Sequence, residues 1–154
     1  MTAEVGKAAP DFTLKDQAGN DVTLSAFKGT SAVALHFYPF TFTGTCEAEL
    51  CRIRDDYSDF EQAGVQVLAV SCDSRHSQRV WAEQQGFTFP VLSDFWPHGA
   101  VAKDYGVFND QLGCAIRATF LIDKKGNIVD EFRTDSLGTA RDPQRYAASL
   151  AKLS

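Results

Sequence analysis

Two apolar runs of strand length, separated by a stretch with helical spacing, restrict most strongly how this chain can fold. The first run covers residues 31–40 (SAVALHFYPF) and the second covers residues 65–70 (VQVLAV). Between them, apolar side chains recur at helical spacing at Leu50, Ile53, Tyr57 and Phe60. This spacing predicts a helix from about Thr43 to Phe60. Buried strands that alternate with helices are typical of a sheet with helices packed on its faces.

The rest of the chain adds further short elements. We predict hairpins at 12–24 and 118–132, a strand at 89–92, and helices at 74–85, 101–105 and 143–152. The predicted fold class is therefore α/β, with a central mixed sheet flanked by helices and an N-terminal hairpin. At 154 residues the chain fits a single domain, 1–154, that buries about two-thirds of its unfolded surface.

Composition excludes several classes of function. The net charge is −5 and no Lys/Arg-rich stretch of five or more occurs, so we expect no nucleic-acid partner. No apolar run approaches the roughly 20 residues of a membrane span, and the N-terminus lacks a signal-peptide core. We therefore expect a soluble, cytoplasmic protein without a membrane partner. Four cysteines and three histidines at spacings unlike those of zinc sites predict no metal, and glycine patterns for nucleotide cofactors are absent from the sequence.

Cys46 occupies the position where reactive cysteine chemistry is most easily supported. It follows the first apolar run and a Thr/Gly loop and falls in the first turn of the predicted helix, at N3 if Thr43 is the N-cap. Unpaired backbone N–H groups and the positive helix end favour thiolate over thiol there. Taken alone, a cysteine at this position is more often a small buried hydrophobe than a nucleophile, and Thr43 would be a plain helix cap.

A thiolate at this position needs a second cationic partner, because a helix terminus alone contributes little. Arg117 is the candidate, since it is the only basic residue in the stretch CAIRATF before an apolar strand. A buried arginine is costly unless it pairs with an anion. An ordinary edge-strand arginine with an acidic partner is the alternative. Glu49, three residues after Cys46, is either a solvated helix acid or the group that positions Arg117.

The segment from Pro39 to Cys46 (PFTFTGTC) resembles the P-x-x-x-T-x-x-C signature of the peroxiredoxins, with Arg117 at the distance of that family's active-site arginine. APDFTL, GFTFPVLSD and the later YGVF and TFLID segments resemble the same family in the same order, over most of residues 3–132. TFTGTCEAEL and SDFWPHGAV are similar to its AhpE-type branch.

The resemblance implies a thioredoxin-like fold and a thiol peroxidase that reduces hydrogen peroxide and organic hydroperoxides without a cofactor. It implies that Cys46 is the peroxidatic residue, that Thr43 and Arg117 hold the peroxide, and that Pro39 shields the pocket. A thioredoxin-like protein, mycoredoxin or a low-molecular-weight thiol would act as reductant. The aromatic loop at Trp96 would contribute to a homodimer.

Cys51 is the expected resolving residue, because C-x4-C spacing is similar to that of the PrxQ/BCP-type peroxiredoxins. Five helical residues separate two Cα atoms by roughly 8 to 9 Å, more than the roughly 7 Å limit of a disulfide. A Cys46–Cys51 bond therefore requires the helix to unwind. Cys51 as a packing residue and Cys114 as the resolving thiol remain alternatives, with Cys72 structural.

The cysteines and histidines permit further interpretations. A thiol-disulfide oxidoreductase could use Cys46 and Cys51, although such enzymes favour C-x-x-C spacing. A redox sensor or holdase could expose a binding surface on oxidation. His36, inside the first apolar run, is expected to be a satisfied core histidine, and His98 to belong to a loop or subunit contact.

Overall fold

The computed structural model describes residues 3–134 and 136–153. Its strands are β1 (Thr13–Lys15), β2 (Asp21–Thr23), β3 (Ala32–Phe37), β4 (Val65–Ser71), β5 (Val91–Ser93), β6 (Phe108–Asn109), β7 (Cys114–Ala115), β8 (Ala118–Ile122) and β9 (Ile128–Arg133). Its helices are α1 (Gly44–Asp55), α2 (Tyr57–Gln62), α3 (Arg75–Gln85), α4 (Ala100–Asp104) and α5 (Gln144–Leu150), with short 3-10 turns at Leu24–Phe27 and Ala151–Leu153.

Seven strands form one mixed sheet in the order β2-β1-β5-β4-β3-β8-β9, and β6 pairs with β7 separately. β3, β4 and β5 run parallel, connected through α1, α2 and α3, whereas β8 and β9 are antiparallel. The mixed α/β sheet flanked by helices is confirmed, and both predicted hairpins are present. Within the residues described, no helix has the length and apolar content needed to cross a membrane.

The alternation of side chains along β3 divides the core between the two faces of the sheet. Val33, Leu35 and Phe37 pack into one apolar cluster with α4 and the N-terminal hairpin. Ala32 and Ala34 point to the opposite face, where α1, α3 and α5 contribute to a second cluster. His36 has the same strand parity as Ala34, so the period of two directs it toward the helices that carry the reactive cysteine.

The single helix predicted from Thr43 to Phe60 is wrong in one respect. It breaks at Asp56, whose backbone (φ −96°, ψ 13°) ends α1 and starts α2. The break redirects the chain so that Phe60 packs edge-on against Tyr146, at 6.1 Å between ring centroids. Packing against α5 thus overrides the continuous helical spacing of the sequence.

The C-terminal helix is anchored to the sheet by a buried carboxylate. Asp130 on β9 is 4% exposed and accepts hydrogen bonds from Arg145 at 2.6 and 2.8 Å and from Lys152 at 3.0 Å. Burial acts to raise the pKa of Asp130, but these bonds outweigh it and lower the pKa to about 2. These bonds hold α5 against β9. They therefore also restrict the chain segment that follows Arg133, the last residue of β9.

We expect Asp130→Asn to lower the free energy of unfolding by about 1 to 2 kcal/mol at pH 7, because both cationic partners are partly exposed to water. The folded-state pKa lies below the ordinary 3.8, so the contribution is complete above about pH 4 and declines as pH falls toward 2. Urea unfolding at pH 7 and pH 3 checks this, with the exposed Asp110→Asn as control. An equal difference between wild type and Asp130→Asn at both pH values would contradict the assignment.

Candidate active site

Contacts with side chains from other parts of the chain fix the turn between β3 and α1. Pro39 is buried, and the Thr41 amide donates to Asp73 Oδ2 at 2.8 Å. Phe42 has a φ of +67°, an unusual value for a bulky residue. Its ring lies 6.3 Å from that of the buried Trp81. The turn therefore has a defined shape that local sequence preference alone would not select.

Thr43 is the N-cap residue of α1, but its side chain does not cap the helix. The hydroxyl instead donates to the Phe40 carbonyl at 2.7 Å, while the Thr43 carbonyl accepts the first helical bond, from Glu47 N–H at 2.9 Å. The side chain is exposed. The hydroxyl oxygen can thus accept a hydrogen bond from a ligand while its own proton stays engaged.

Cys46 is the third residue of α1 and its side chain is fully buried. The amides of the first helical turn have no acceptor within the helix, so they and the helix dipole present positive charge near the sulfur. Leu50 and Ile53, on the same face of α1, pack with Cys46 in the second apolar cluster, between the sheet and helices α1, α3 and α5. Packing of this face fixes the sulfur close to the helix N-terminus.

Arg117 and Glu49 form a buried ion pair. Arg117 is 3% exposed, and its Nη1 donates to Glu49 Oε1 at 2.6 Å while Nε donates to the Leu137 carbonyl at 2.7 Å. Glu49 is 8% exposed, so it is not the solvated helix acid that was one alternative. The structure thus brings Glu49 and Arg117 into direct contact, on the helix face that also carries Cys46.

A second buried arginine binds the same carboxylate. Arg141, also 3% exposed, donates to both oxygens of Glu49: its backbone N–H and Nε contact Oε2 at 2.8 and 3.1 Å, and Nη2 contacts Oε1 at 2.9 Å. Burial acts to raise the pKa of Glu49, but the hydrogen bonds and charge of Arg141, with the charge of Arg117, lower it. Two guanidinium groups against one carboxylate leave one net positive charge, which a thiolate can balance.

Sequence reasoning missed Arg141, its contact with His36 and the contact of His36 with Tyr146. Arg141 lies in a segment without periodicity, 92 residues from Glu49, so no local pattern connects the two. The feature that marks Arg141 as a site residue is its burial, and burial of this arginine becomes visible only in the folded structure. His36 is fully buried with both ring nitrogens bonded, as expected of a satisfied core histidine.

The four cysteines are free thiols with different surroundings. Cys51, half-buried on α1, donates to Gln85 Oε1 at 3.5 Å, and burial raises its pKa. Burial, followed by the charges of Asp94 and Cys114, raises the pKa of Cys72 to about 12. The pKa of Cys114 is raised by burial and then by the charge that Cys46 would carry when ionised. Cys114 therefore lies within electrostatic reach of Cys46.

Apolar side chains are exposed in the loops at 95–96 and 112. Trp96 is 82% exposed, Leu112 57% and Phe95 51%. His98 connects the two loops, because its ring nitrogens face the carbonyls of Phe95 at 3.1 Å and Gly113 at 2.7 Å. Large exposed apolar groups in adjacent loops are typical of a protein contact surface. Across residues 3–134 and 136–153, His, Cys, Asp and Glu form no group of three that could hold a metal ion.

Comparison with known proteins identifies the family. Residues 5–131 match the model of the AhpC/TSA family. Alkyl hydroperoxide reductase E of Mycobacterium tuberculosis is 46% identical over 149 residues, which are 97% of each chain. The chloroplastic peroxiredoxin Q of Triticum aestivum is 40% identical over 122 residues, 79% of this chain and 55% of the relative.

A solved structure, that of the peroxidoxin BcpB from Mycobacterium tuberculosis, has a TM-score of 0.86 and 31% identity, covering 98% of this chain and 96% of the other. Sequence and fold thus agree with a buried cysteine at a helix N-terminus, on the helix face that also carries Glu49 and its two arginines. The chain belongs to the AhpC/TSA family and is a peroxiredoxin, a thiol-dependent peroxidase with a thioredoxin-like fold.

Proposed function

We propose that Cys46 is the peroxidatic residue and that the chain reduces hydrogen peroxide and organic hydroperoxides through a sulfenic acid. The observation that carries this proposal is the buried Arg117–Glu49–Arg141 cluster, with one net positive charge, on the helix face of Cys46. The name of the mycobacterial relative supports alkyl hydroperoxides as substrates.

In the first step, the Cys46 thiolate attacks the terminal peroxide oxygen. An S–O bond forms, the O–O bond breaks, and the departing alkoxide or hydroxide takes up a proton to leave as alcohol or water. Negative charge moves from sulfur across two oxygens, so hydrogen-bond donors placed along this path lower the barrier. Arg117 and the Cys46 backbone N–H are the proposed donors.

The remaining site residues have supporting roles in this proposal. Thr43 accepts a hydrogen bond from the peroxide O–H through its hydroxyl oxygen, since its own proton is donated to the Phe40 carbonyl. Pro39, buried at the end of β3, shields the sulfur from water. Glu49 holds Arg117 through the 2.6 Å bond and so acts as a positioning residue.

In the second step, Cys51 is the proposed resolving thiol. Its sulfur attacks the Cys46 sulfenic acid, forming a disulfide and releasing water. Both residues lie in the intact helix α1, so the first turns must unwind before the bond can form. Trp81 restrains this unwinding: its indole N–H donates to Glu47 Oε1 at 3.0 Å and its ring packs near Phe42.

Cys114 is the second candidate for the resolving role, supported by its electrostatic proximity to Cys46 in the folded state. Its complete burial opposes this role, because a resolved disulfide has to be reached by a reductant. A thiol-disulfide oxidoreductase using Cys46 and Cys51 receives less support than a peroxidase, since disulfide exchange does not require the arginine pair. A redox-sensor or holdase role would be a secondary function, and it would depend on the unwinding of α1.

As reductant we propose a thioredoxin-like protein, mycoredoxin or a low-molecular-weight thiol. We also propose a cytoplasmic setting, which is in keeping with the four free thiols.

We further propose that the protein forms a homodimer. The exposed Phe95, Trp96 and Leu112 support it, because a matching surface on a second copy would remove them from water.

The roles of the two α1 cysteines predict distinct products when reduced protein is mixed with a slight excess of peroxide. Wild type should consume peroxide and lose about 2 Da as a disulfide forms, whereas Cys51→Ser should stop at additions of about 16 or 32 Da. Cys46→Ser should not consume peroxide. Peroxide loss and intact mass, followed together, make the measurement.

Cys72→Ser is the matched control, since Cys72 is buried and its pKa is raised, and it should behave as wild type. Peroxide consumption that survives in Cys46→Ser would refute the peroxidatic assignment. If Cys51→Ser still loses about 2 Da, and Cys114→Ser does not, the resolving role passes to Cys114.

Because Cys46 and Cys51 are too far apart in an intact helix to bond, we expect the 46–51 disulfide to melt the start of α1. Amide hydrogen exchange between Thr43 and Arg52 should become fast in oxidised protein, while β3 and β4 stay protected. Trp81 fluorescence should change in the same step, and a Trp96→Phe background isolates that signal. Native protection of 43–52 in protein with a proven 46–51 disulfide would overturn the geometric argument.

A further inference from the structure

His36 is a buried polar group in a strand that is otherwise apolar, and the reaction described above does not use it. It is fully buried, and the strand period directs it away from Leu35 and Phe37 toward α1 and α5. Its Cα partner across the sheet is Thr119 of β8. A histidine at such a position requires hydrogen-bond partners, and those partners identify what it does.

The first partner is Arg141, whose side chain has all five N–H groups engaged. Nε and one N–H of Nη2 contact Glu49, and Nη1 donates to the Phe37 carbonyl at 2.8 Å and to Thr119 Oγ1 at 3.2 Å. The remaining N–H of Nη2 points to His36 Nε2 at 2.7 Å. Since a guanidinium has no acceptor, the histidine nitrogen must accept this bond.

The second partner is Tyr146 of α5. With Nε2 accepting, the proton of the neutral ring is on Nδ1, which lies 2.6 Å from the Tyr146 hydroxyl. Tyr146 in turn lies 3.3 Å from Thr119 Oγ1, and its ring stacks on His36 at 6.0 Å between centroids. Burial, then the charges of Arg141 and Arg117, keeps the pKa of His36 well below its usual value, so the neutral form persists.

We propose that His36 is a positioning residue of the peroxidase site, fixed by Tyr146, which orients Arg141 and through Glu49 sets the place of Arg117. The proposal rests on the proposed role of Arg117 at Cys46. Both Arg141 and Tyr146 lie beyond residues 5–131, the part that matches the family model, so the inference depends on contacts of this chain. An apolar residue at 36 would leave one Arg141 N–H without an acceptor and free the guanidinium to turn away from Glu49.

The test compares two reactions of Cys46 in the full-length reduced protein, each followed over a pH series and compared at its alkaline plateau, where ionisation of the thiol no longer limits the rate. One is oxidation by hydrogen peroxide, which requires Arg117; the other is alkylation by iodoacetamide, which requires only an accessible thiolate and is quantified at Cys46 by peptide mass mapping. We expect His36→Leu to slow oxidation about tenfold, as misplacement of an orienting group does, and to change alkylation less than about twofold. His36→Gln, which retains an acceptor, should recover most of the rate.

Further variants separate the proposal from its premise. Arg117→Leu should slow oxidation about a hundredfold, and adding His36→Leu to it should cost nothing further, because His36 acts through Arg117. Tyr146→Phe keeps the ring and should slow oxidation about threefold, which decides the question even if His36→Leu does not fold. His76→Leu on the exposed face of α3 is the matched control and should match wild type.

The outcomes are distinguishable. If Arg117→Leu oxidises as fast as wild type, the proposed function of Arg117 fails. If Arg117→Leu is slow while His36→Leu and Tyr146→Phe stay within about twofold of wild type, the positioning role of His36 fails alone. Equal slowing of oxidation and alkylation in His36→Leu, or an additive effect with Arg117→Leu, would also overturn that role, because it would indicate general loss of structure.

Discussion

The carboxylate of Glu49, held between two buried guanidinium groups, is the interaction on which the rest of the site depends. Charges with so little exposure are tolerated only when each is paired and hydrogen-bonded. The cluster has one net positive charge, and in our proposal an ionised Cys46 is the anion that balances it. The same carboxylate connects α1 to Arg117, just before β8, and to Arg141, in the segment between β9 and α5, so these three parts of the chain share one anchor.

The sequence predicts the part of this arrangement that depends on local chemistry. An apolar strand, a proline, a Thr/Gly loop and a helix start place Cys46 at N3 of α1, and its spacing from Glu49 predicts a shared helix face. Arg117 could be selected because a basic residue before a buried strand needs an anionic partner. These inferences require only strand and helix periods and the cost of burying charge.

Other features could not be derived because they depend on residues distant in sequence. Arg141 is 92 residues from Glu49 and 105 from His36, in a segment with no period. The break at Asp56 follows from packing of Phe60 against α5, which the uninterrupted helical spacing conceals. In each case a tertiary contact decides against the local preference.

In the proposed mechanism this environment makes Cys46, and not the other three thiols, the nucleophile toward peroxide. Rapid-quench mixing of reduced protein with one equivalent of hydrogen peroxide, followed by peptide mass mapping at successive times, tests it most directly. We predict that oxygen is added first at Cys46, while Cys51, Cys72 and Cys114 stay reduced until the sulfenic acid is resolved. Early oxidation spread over several cysteines, or appearing first at a residue other than Cys46, would contradict the account.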